Sequence, residues 1–316
     1  MGAWAPAPVP AGRWTGLPPG SGQRLVLPAG PPEFVRAGLL MYHPMTPRSR
    51  FAWQVASRAA SMGLFRLLPR VPPPLLPDSL LRLVPPGGSV AVTRTSLPHR
   101  SVVLIFDQFG AGQSIAKVAR DDLGRARLAA EAAALARLPA RLPGPLRAPK
   151  LLSVEKDFLV MQAVRWRLRH RPWILPEAVA GAMGRFYASG EQPAHGDFAP
   201  WNLMRTEEGW MLFDWEDSRL ASSAYADPFH YLVQAHAMLG HPGRQELLAG
   251  LHGRAWVGRS LRAYAHGAGL RIEDAPQAFA GYLAESADSL RRDPRRRGAV
   301  QGVAARELLL ADLSTG

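Results

Sequence analysis

From residue 89 to 164 the apolar pattern has the period of strands, broken once by a helical stretch, and past Pro176 it turns helical almost throughout. Residues 89–95 (SVAVTRT) alternate, and 101–109 (SVVLIFDQF) form a β-branched apolar run. Gly110-Ala111-Gly112 is a hairpin turn that leads into a third strand over 114–119 (SIAKVA). The Ala/Leu-rich stretch 125–138 predicts a helix that stops before Pro139, and 151–154 with 158–164 predict an antiparallel pair. Three strands, one helix and two strands make a small α+β unit. Helices are expected over 177–188, 228–239, 244–251, 256–266, 275–290 and 299–313. The exception is a short hairpin inside 202–215, turning at Glu207-Glu208-Gly209. The fold class is therefore α+β, with a small antiparallel β lobe carrying one helix over 89–163 and a larger, mostly helical lobe over 164–316.

Upstream the signals are weaker. Residues 1–32 are rich in Pro and Gly without a hydrophobic period and read as a loosely ordered leader. Residues 33–88 form an N-terminal extension. Within it, 34–41 suits a short strand or helix, and 48–68 carries Phe51, Val55, Ala59, Met62 and Phe65 at near-helical spacing. Five internal prolines make 69–86 a connector with one short apolar element, 80–84.

Composition excludes several chemistries. With no cysteine there are no disulfides, thiolate nucleophiles or cysteine-based zinc sites, so any metal must sit on oxygen or imidazole. The net charge of +13 invites a polyanion partner, but 35 of the 38 basic residues are arginines and they are scattered, apart from the run 291–297. Together with 30 prolines, that skew points to biased coding composition, and no specific nucleic-acid partner is expected. No stretch approaches the roughly 20 apolar residues of a membrane span, and the first residues lack a secretory pattern, so a soluble, cytoplasmic protein is expected.

The residues with chemistry cluster in one place. His195-Gly196-Asp197-Phe198-Ala199-Pro200-Trp201-Asn202 is followed twelve residues later by Asp214 in LFDWED. Asp197 and Asn202 share one loop, and Asp214 closes the next hairpin, whose return can bring it beside Asn202. Two carboxylates and an amide oxygen in this arrangement suit Mg, a hard cation that takes oxygen ligands and keeps several waters. Phosphoryl transfer uses such a set: metal for the phosphates, and a carboxylate for the acceptor hydroxyl. A second signal is Lys117, a rare lysine inside an apolar strand, with Glu131 fourteen residues later as the only acid in the middle of the Ala-rich helix.

HGDFAPWN followed by FDWE resembles the catalytic and metal-binding loops of aminoglycoside phosphotransferases and choline-kinase-like enzymes, which share a bilobal protein-kinase-like fold. The short stretch between Gln162 and His195 is similar to that of a branch associated with bacterial polysaccharide biosynthesis. The resemblance, over about residues 89–239, implies that Asp197 is the catalytic base and that Asn202 and Asp214 hold Mg. His195 supports the loop, and Asp227 in YADPFHYL anchors it. In the β lobe, Lys117 and Glu131 would serve the phosphates of ATP or GTP, Met161 would line the nucleotide pocket, and backbone groups of Gln162 and Ala163 would meet the adenine edge. The acceptor would be a hydroxyl of a small molecule.

One departure bears on this expectation. Residues 95–100, where such a fold covers the phosphates, contain no glycine, so Ser96, His99 or Arg100 would supply side-chain contacts instead. The alternative is a kinase-like nucleotide-binding or scaffolding protein without turnover. No GxxxxGK[ST] loop occurs, His230, His236 and His241 are not spaced to share one helical face, and Ser222-Ser223 lacks nucleophile-elbow glycines.

Overall fold

The strands expected over 89–164 form as antiparallel neighbours, but the sheet they build is wider than those residues alone. The computed structural model describes residues 6–8, 12–18, 24–94, 99–139, 142–292 and 299–315. The chain divides into two units, Met1–Ala132 with Pro149–Arg165 and Ala133–Ala148 with Trp166–Gly316.

In the first unit the elements run β1 (Pro6–Pro8), β2 (Trp14–Leu17), β3 (Leu25–Pro28), α1 (Pro32–Leu39), α2 (Pro47–Ser61), β4 (Leu75–Pro77), α3 (Asp78–Leu81), β5 (Ser89–Arg94), β6 (Arg100–Phe106), β7 (Gly112–Ala119) and α4 (Asp122–Arg137), whose last turn, from Ala133, belongs to the second unit. After β8 (Leu146–Arg147), which belongs to the second unit, β9 (Leu151–Val154) and β10 (Phe158–Gln162) complete a seven-stranded sheet in the order β2-β3-β5-β6-β7-β10-β9. Residues 1–32 are thus not a loose leader throughout. β3 pairs with β5 through Leu25↔Thr93 and Val26↔Val92, and Trp14 and Leu27 are buried. A bare β5 edge would leave a row of unpaired backbone groups, and two short apolar strands cover it. Short length hides their period in the sequence.

The sheet is buried on both faces. Val90, Val92, Val103, Ile105, Ala116 and Val118 pack on one side with Leu76 and Leu80. Ala91, Leu104 and Phe106 face the other side, under Val35, Ala37 and Leu39 of α1 and Ala60 of α2. Gly38 lets α1 lie close to the sheet, because a Cβ there would strike Leu27 and press on Ala91. The extension over 33–88 is therefore a structural layer of this unit.

The second unit contains β8, β11 (Trp166–Arg167), α5 (Glu177–Tyr187), β12 (Leu203–Thr206), β13 (Trp210–Leu212), α6 (Ala226–Leu239), α7 (Arg244–Leu251), α8 (Ala255–Ala268), α9 (Ala275–Arg292) and α10 (Ala299–Thr315). Its four-stranded sheet runs β11-β12-β13-β8, with β8 parallel to β13. That pairing, with Leu142 and Leu146 in the helical core, draws 133–148 out of the β-rich lobe to which the sequence assigned it. Among the described residues, no helix is long and apolar enough to cross a membrane.

Leu27 is fully buried in β3. Leu27→Ala is expected to lower the unfolding free energy by about 2–5 kcal/mol in urea titrations, as deletion in a packed core does. A loosely attached leader would give no change.

Candidate active site

In the first unit, β7 places Lys117 beside Glu131 of α4. The lysine Nζ lies 2.6 Å from each carboxylate oxygen, and the two side chains are 6% and 0% exposed. Glu131 is therefore no solvated helical acid. The ammonium and carboxylate compensate each other where neither can keep its water, and the pair holds the Lys117 side chain in a single position.

β10 runs antiparallel to β7, with Met161 opposite Ile115 and buried at 2% exposure. The N–H of Gln162 donates to the carbonyl of Lys150 at 2.9 Å, and that of Ala163 to Gln113 at 3.3 Å. Neither amide is open to a ligand without giving up a bond, so of the backbone groups expected at an adenine edge the carbonyls are the ones these two bonds leave uncommitted. Ser96 lies outside the described residues.

In the second unit the loop 194–202 is built around one acid. Asp227, in the first turn of α6, accepts from the backbone N–H of His195 at 2.8 Å and of Gly196 at 3.1 Å. The chain turns at Gly196 with φ +83°, where a Cβ would also run into the carbonyl of Asp217. Only glycine meets both conditions. A two-residue bridge between Ala194 and Arg219 fixes the entry to the loop.

The His195 ring is fully buried, and its two nitrogens are told apart by their partners. Nε2 lies 2.8 Å from the carbonyl of Phe213, so it carries the proton, while Nδ1 accepts from the N–H of Asp197 at 3.3 Å. Burial pushes the imidazole below its ordinary value, although the carboxylates of Asp227, Asp197 and Asp214 pull the other way. Trp215 is fully buried against the ring at 4.6 Å and ties its own Nε1 to Leu212.

Asp197 is half-buried, and each carboxylate oxygen has a named donor. Asn202 Nδ2 donates to Oδ2 at 2.9 Å and to the Asp197 carbonyl at 2.8 Å, while His230 Nε2 meets Oδ1 at 3.0 Å. Burial alone would raise this carboxyl. The hydrogen bond and charge of His230, with His195, outweigh it and hold the group below the ordinary carboxylate value. Asn202 closes a single 3-10 turn, Pro200–Asn202, and its carbonyl accepts from Phe213 at 2.9 Å as Leu203 pairs with Leu212. Asp214, the next residue, turns out of the hairpin at φ +61°. Its charge reaches both Asp197 and His195. The loop thus joins Asn202 to Asp197 directly, and the hairpin puts Asp214 one residue beyond the backbone bond between Phe213 and Asn202.

Among the described residues no three His, Asp or Glu side chains form a metal cluster. The donor set here is smaller: the Asn202 amide oxygen, left for a cation because Nδ2 is spent on Asp197, and the Asp214 carboxylate. Two hard oxygen ligands fit Mg, which takes its remaining positions from water and phosphate.

From the sequence, His230 was weighed only as a metal ligand and Arg169 was not singled out. His230 lies one turn after Asp227 in α6, so both face the loop. Its Nδ1 lies 3.0 Å from the Tyr282 hydroxyl, which burial keeps protonated, and buried Arg306 stands 3.5 Å beyond. Arg169, buried and 5.1 Å over the Trp210 ring, donates to the carbonyls of Pro200, Leu203 and Ile174 and so braces the far end of the loop. The Asp227/His230 spacing was visible in the sequence. The partners in α9 and α10 were not.

No family model matches the chain, and no curated protein does. Among solved structures it is similar to APH(2")-IIia in complex with GDP and kanamycin, at 11% identity and a TM-score of 0.45, covering 72% of this chain and 94% of that one. It is also similar to macrolide 2'-phosphotransferase MphH from Brachybacterium faecium (14%, TM-score 0.43, 72% and 92% covered). A third similar structure is amicoumacin kinase hAmiN with AMP-PNP, Ca2+ and Ami (12%, TM-score 0.42, 70% and 88% covered).

Two outcomes follow from the side-chain geometry. Glu131→Ala leaves the Lys117 ammonium buried without its carboxylate and is expected to cost about 3–5 kcal/mol in denaturant titrations. His195 is held neutral, so below its ordinary value of 6.5 the unfolded chain takes up a proton that the folded chain refuses. Its contribution is present above that pH and fades as pH falls toward the lowered folded value, by at most about 1.4 kcal/mol per pH unit. Stability measured between pH 7 and 5 should fall less steeply in His195→Asn than in wild type. The corresponding loss for Asp197 lies lower, below its ordinary 3.8.

Proposed function

We propose that the chain is a Mg-dependent kinase that moves the terminal phosphoryl group of ATP or GTP to a hydroxyl of a small molecule such as a sugar, an amino alcohol or a glycan precursor. The observation that carries this reading is Asn202, whose Nδ2 holds the Asp197 carboxylate while its backbone carbonyl binds Phe213, the residue before Asp214. These two bonds support a reading in which Asp197 is the catalytic carboxylate and Asn202 and Asp214, on adjoining segments, would offer two oxygens to a cation.

Asp197 accepts a hydrogen bond from the acceptor hydroxyl and takes its proton as the new O–P bond forms and the bond from the terminal phosphorus to the departing nucleoside diphosphate breaks. Its lowered pKa keeps it ionised at neutral pH, and each oxygen retains a lone pair beyond the one used by Asn202 or His230. His230 is a positioning residue: it fixes the carboxylate plane, backed by Tyr282. Asn202 and Asp214 hold Mg, which when bound neutralises charge on the transferred and leaving phosphates. Lys117, oriented by Glu131, contacts the nucleotide phosphates, and Ser96 adds a hydroxyl there. Met161, Gln162 and Ala163 serve the base through apolar surface and carbonyl oxygens, since their two flanking N–H groups are engaged. His195 and Asp227 hold the loop and touch no substrate.

The rival is a kinase-like nucleotide-binding or scaffolding protein without turnover. It draws on the engaged amides of Gln162 and Ala163 and on the glycine-free residues 95–100. One experiment separates the two. Mg-ATP and Mg-GTP are incubated with a panel of sugars and amino alcohols, and nucleoside diphosphate and phosphorylated acceptor are quantified. Acceptor-dependent product that falls about 10²–10⁴-fold in Asp197→Asn supports the kinase. Mg-dependent thermal stabilisation by nucleotide with no product across the panel supports the rival.

A further inference from the structure

Helix α2 is built inside out. Thr46 caps it in a capping box with Ser49, and Pro47 opens the first turn, so local signals fix the helix where the sequence expects one. Its inward side, however, carries Ala56, Ala59 and Ala60 against the sheet, with Trp53 tied to the Leu39 carbonyl at 3.0 Å. The large apolar side chains face out: Phe51 is 70% exposed, Val55 52% and Met62, at the C-cap, 72%. At 3.6 residues per turn these three lie within about 40° of one another around the helix axis. The surface continues past the helix to Leu67, at 79% exposure, and to Phe109 at the β6–β7 turn, at 76%. An open groove of about 650 Å³ joins Leu40, Trp53, Met62 and Phe109. Nine of the sixteen large hydrophobic side chains exposed among the described residues fall between Leu40 and Leu83, so the exposure is concentrated, not scattered.

The charge around this surface is predominantly basic, with Glu33 the one acid among the residues that line the groove. Residues 34–77 contain six arginines and no Asp or Glu. Arg48, Arg58, Arg66 and Arg70 are exposed, and Arg58 lines the groove. Phe, Val, Met and Leu projecting from a basic, acid-free helix are the chemistry of a segment that lies in the headgroup plane of an anionic bilayer. Two other occupants fit less well. A second copy meeting this face across a two-fold axis would set arginines against the same arginines. Single-stranded nucleic acid stacks on rings, and Val55, Met62 and Leu67 offer none. We propose that α2 and the segment after it, with Phe109, form a peripheral docking surface for anionic phospholipid membranes, whatever the acceptor of the catalytic site.

Co-sedimentation of the full chain with vesicles tests this, using pure phosphatidylcholine and phosphatidylcholine enriched in phosphatidylglycerol. Wild type is expected to pellet with the anionic vesicles and to be released by salt. Phe51→Ser with Met62→Ser should weaken binding by at least about tenfold, since two apolar anchors are lost. Arg48→Gln with Arg58→Gln should do the same through charge. All four positions are exposed, so an unchanged urea midpoint is the control for folding. Failure of wild type to bind anionic vesicles, or undiminished binding by the Ser pair, overturns the proposal. So does a dimer that the Ser pair disrupts in the absence of vesicle binding. Retention of nucleic acid by the arginines alone, insensitive to the Ser pair and without vesicle binding, overturns it as well. Phosphoryl transfer is unaffected by either pair, so this result and the kinase assay fail independently.

Discussion

Two backbone amides on one carboxylate hold the loop 194–202 in place. The N–H groups of His195 and Gly196 point at Asp227, and this fixes the direction in which the chain leaves the turn. From there each contact depends on the last. Gly196 turns where no side chain fits, and the His195 ring enters the core with its proton committed to Phe213. The N–H of Asp197 closes on the other ring nitrogen. Asn202 then holds the Asp197 carboxylate, and its own carbonyl joins the hairpin that presents Asp214. Buried backbone groups must find partners, and here the partners are the same atoms that position Asp197 and Asn202.

The first unit meets a different constraint. A sheet apolar on both sides needs two covers, and β7, which carries Lys117, lies inside it. α1 and α2 cover one face and the 76–80 segment the other, while β2 and β3 cover the β5 edge. Lys117 and Glu131 are enclosed as a consequence, and an isolated charge there would be expensive. The two side chains hold each other in one geometry that neither would keep in water.

The outward apolar stripe of α2 is the place where local and global signals disagree. Caps and spacing make the helix, but the side that packs is the alanine side. A folded domain has no use for Phe51, Val55 and Met62 in water, so their position is best explained by something outside the chain.

The sequence by itself determined the strand–helix succession, because periods of 2 and 3.6 are local and each element needs only its own residues to declare it. It also put Asp197 and Asn202 on one loop, where they hydrogen-bond, with Asp214 at the end of the next hairpin, because one turn and one hairpin are local features. Pairs related by a single helical turn, such as Asp227 and His230, were legible in principle. Tertiary structure alone decided the rest: the two edge strands, too short to show a period, and the face on which α2 packs. It also decided the Tyr282–Arg306 backing of His230, contributed by helices more than fifty residues away. Those outcomes depend on which distant surfaces compete for burial, and that competition is settled only when the whole chain has closed on itself.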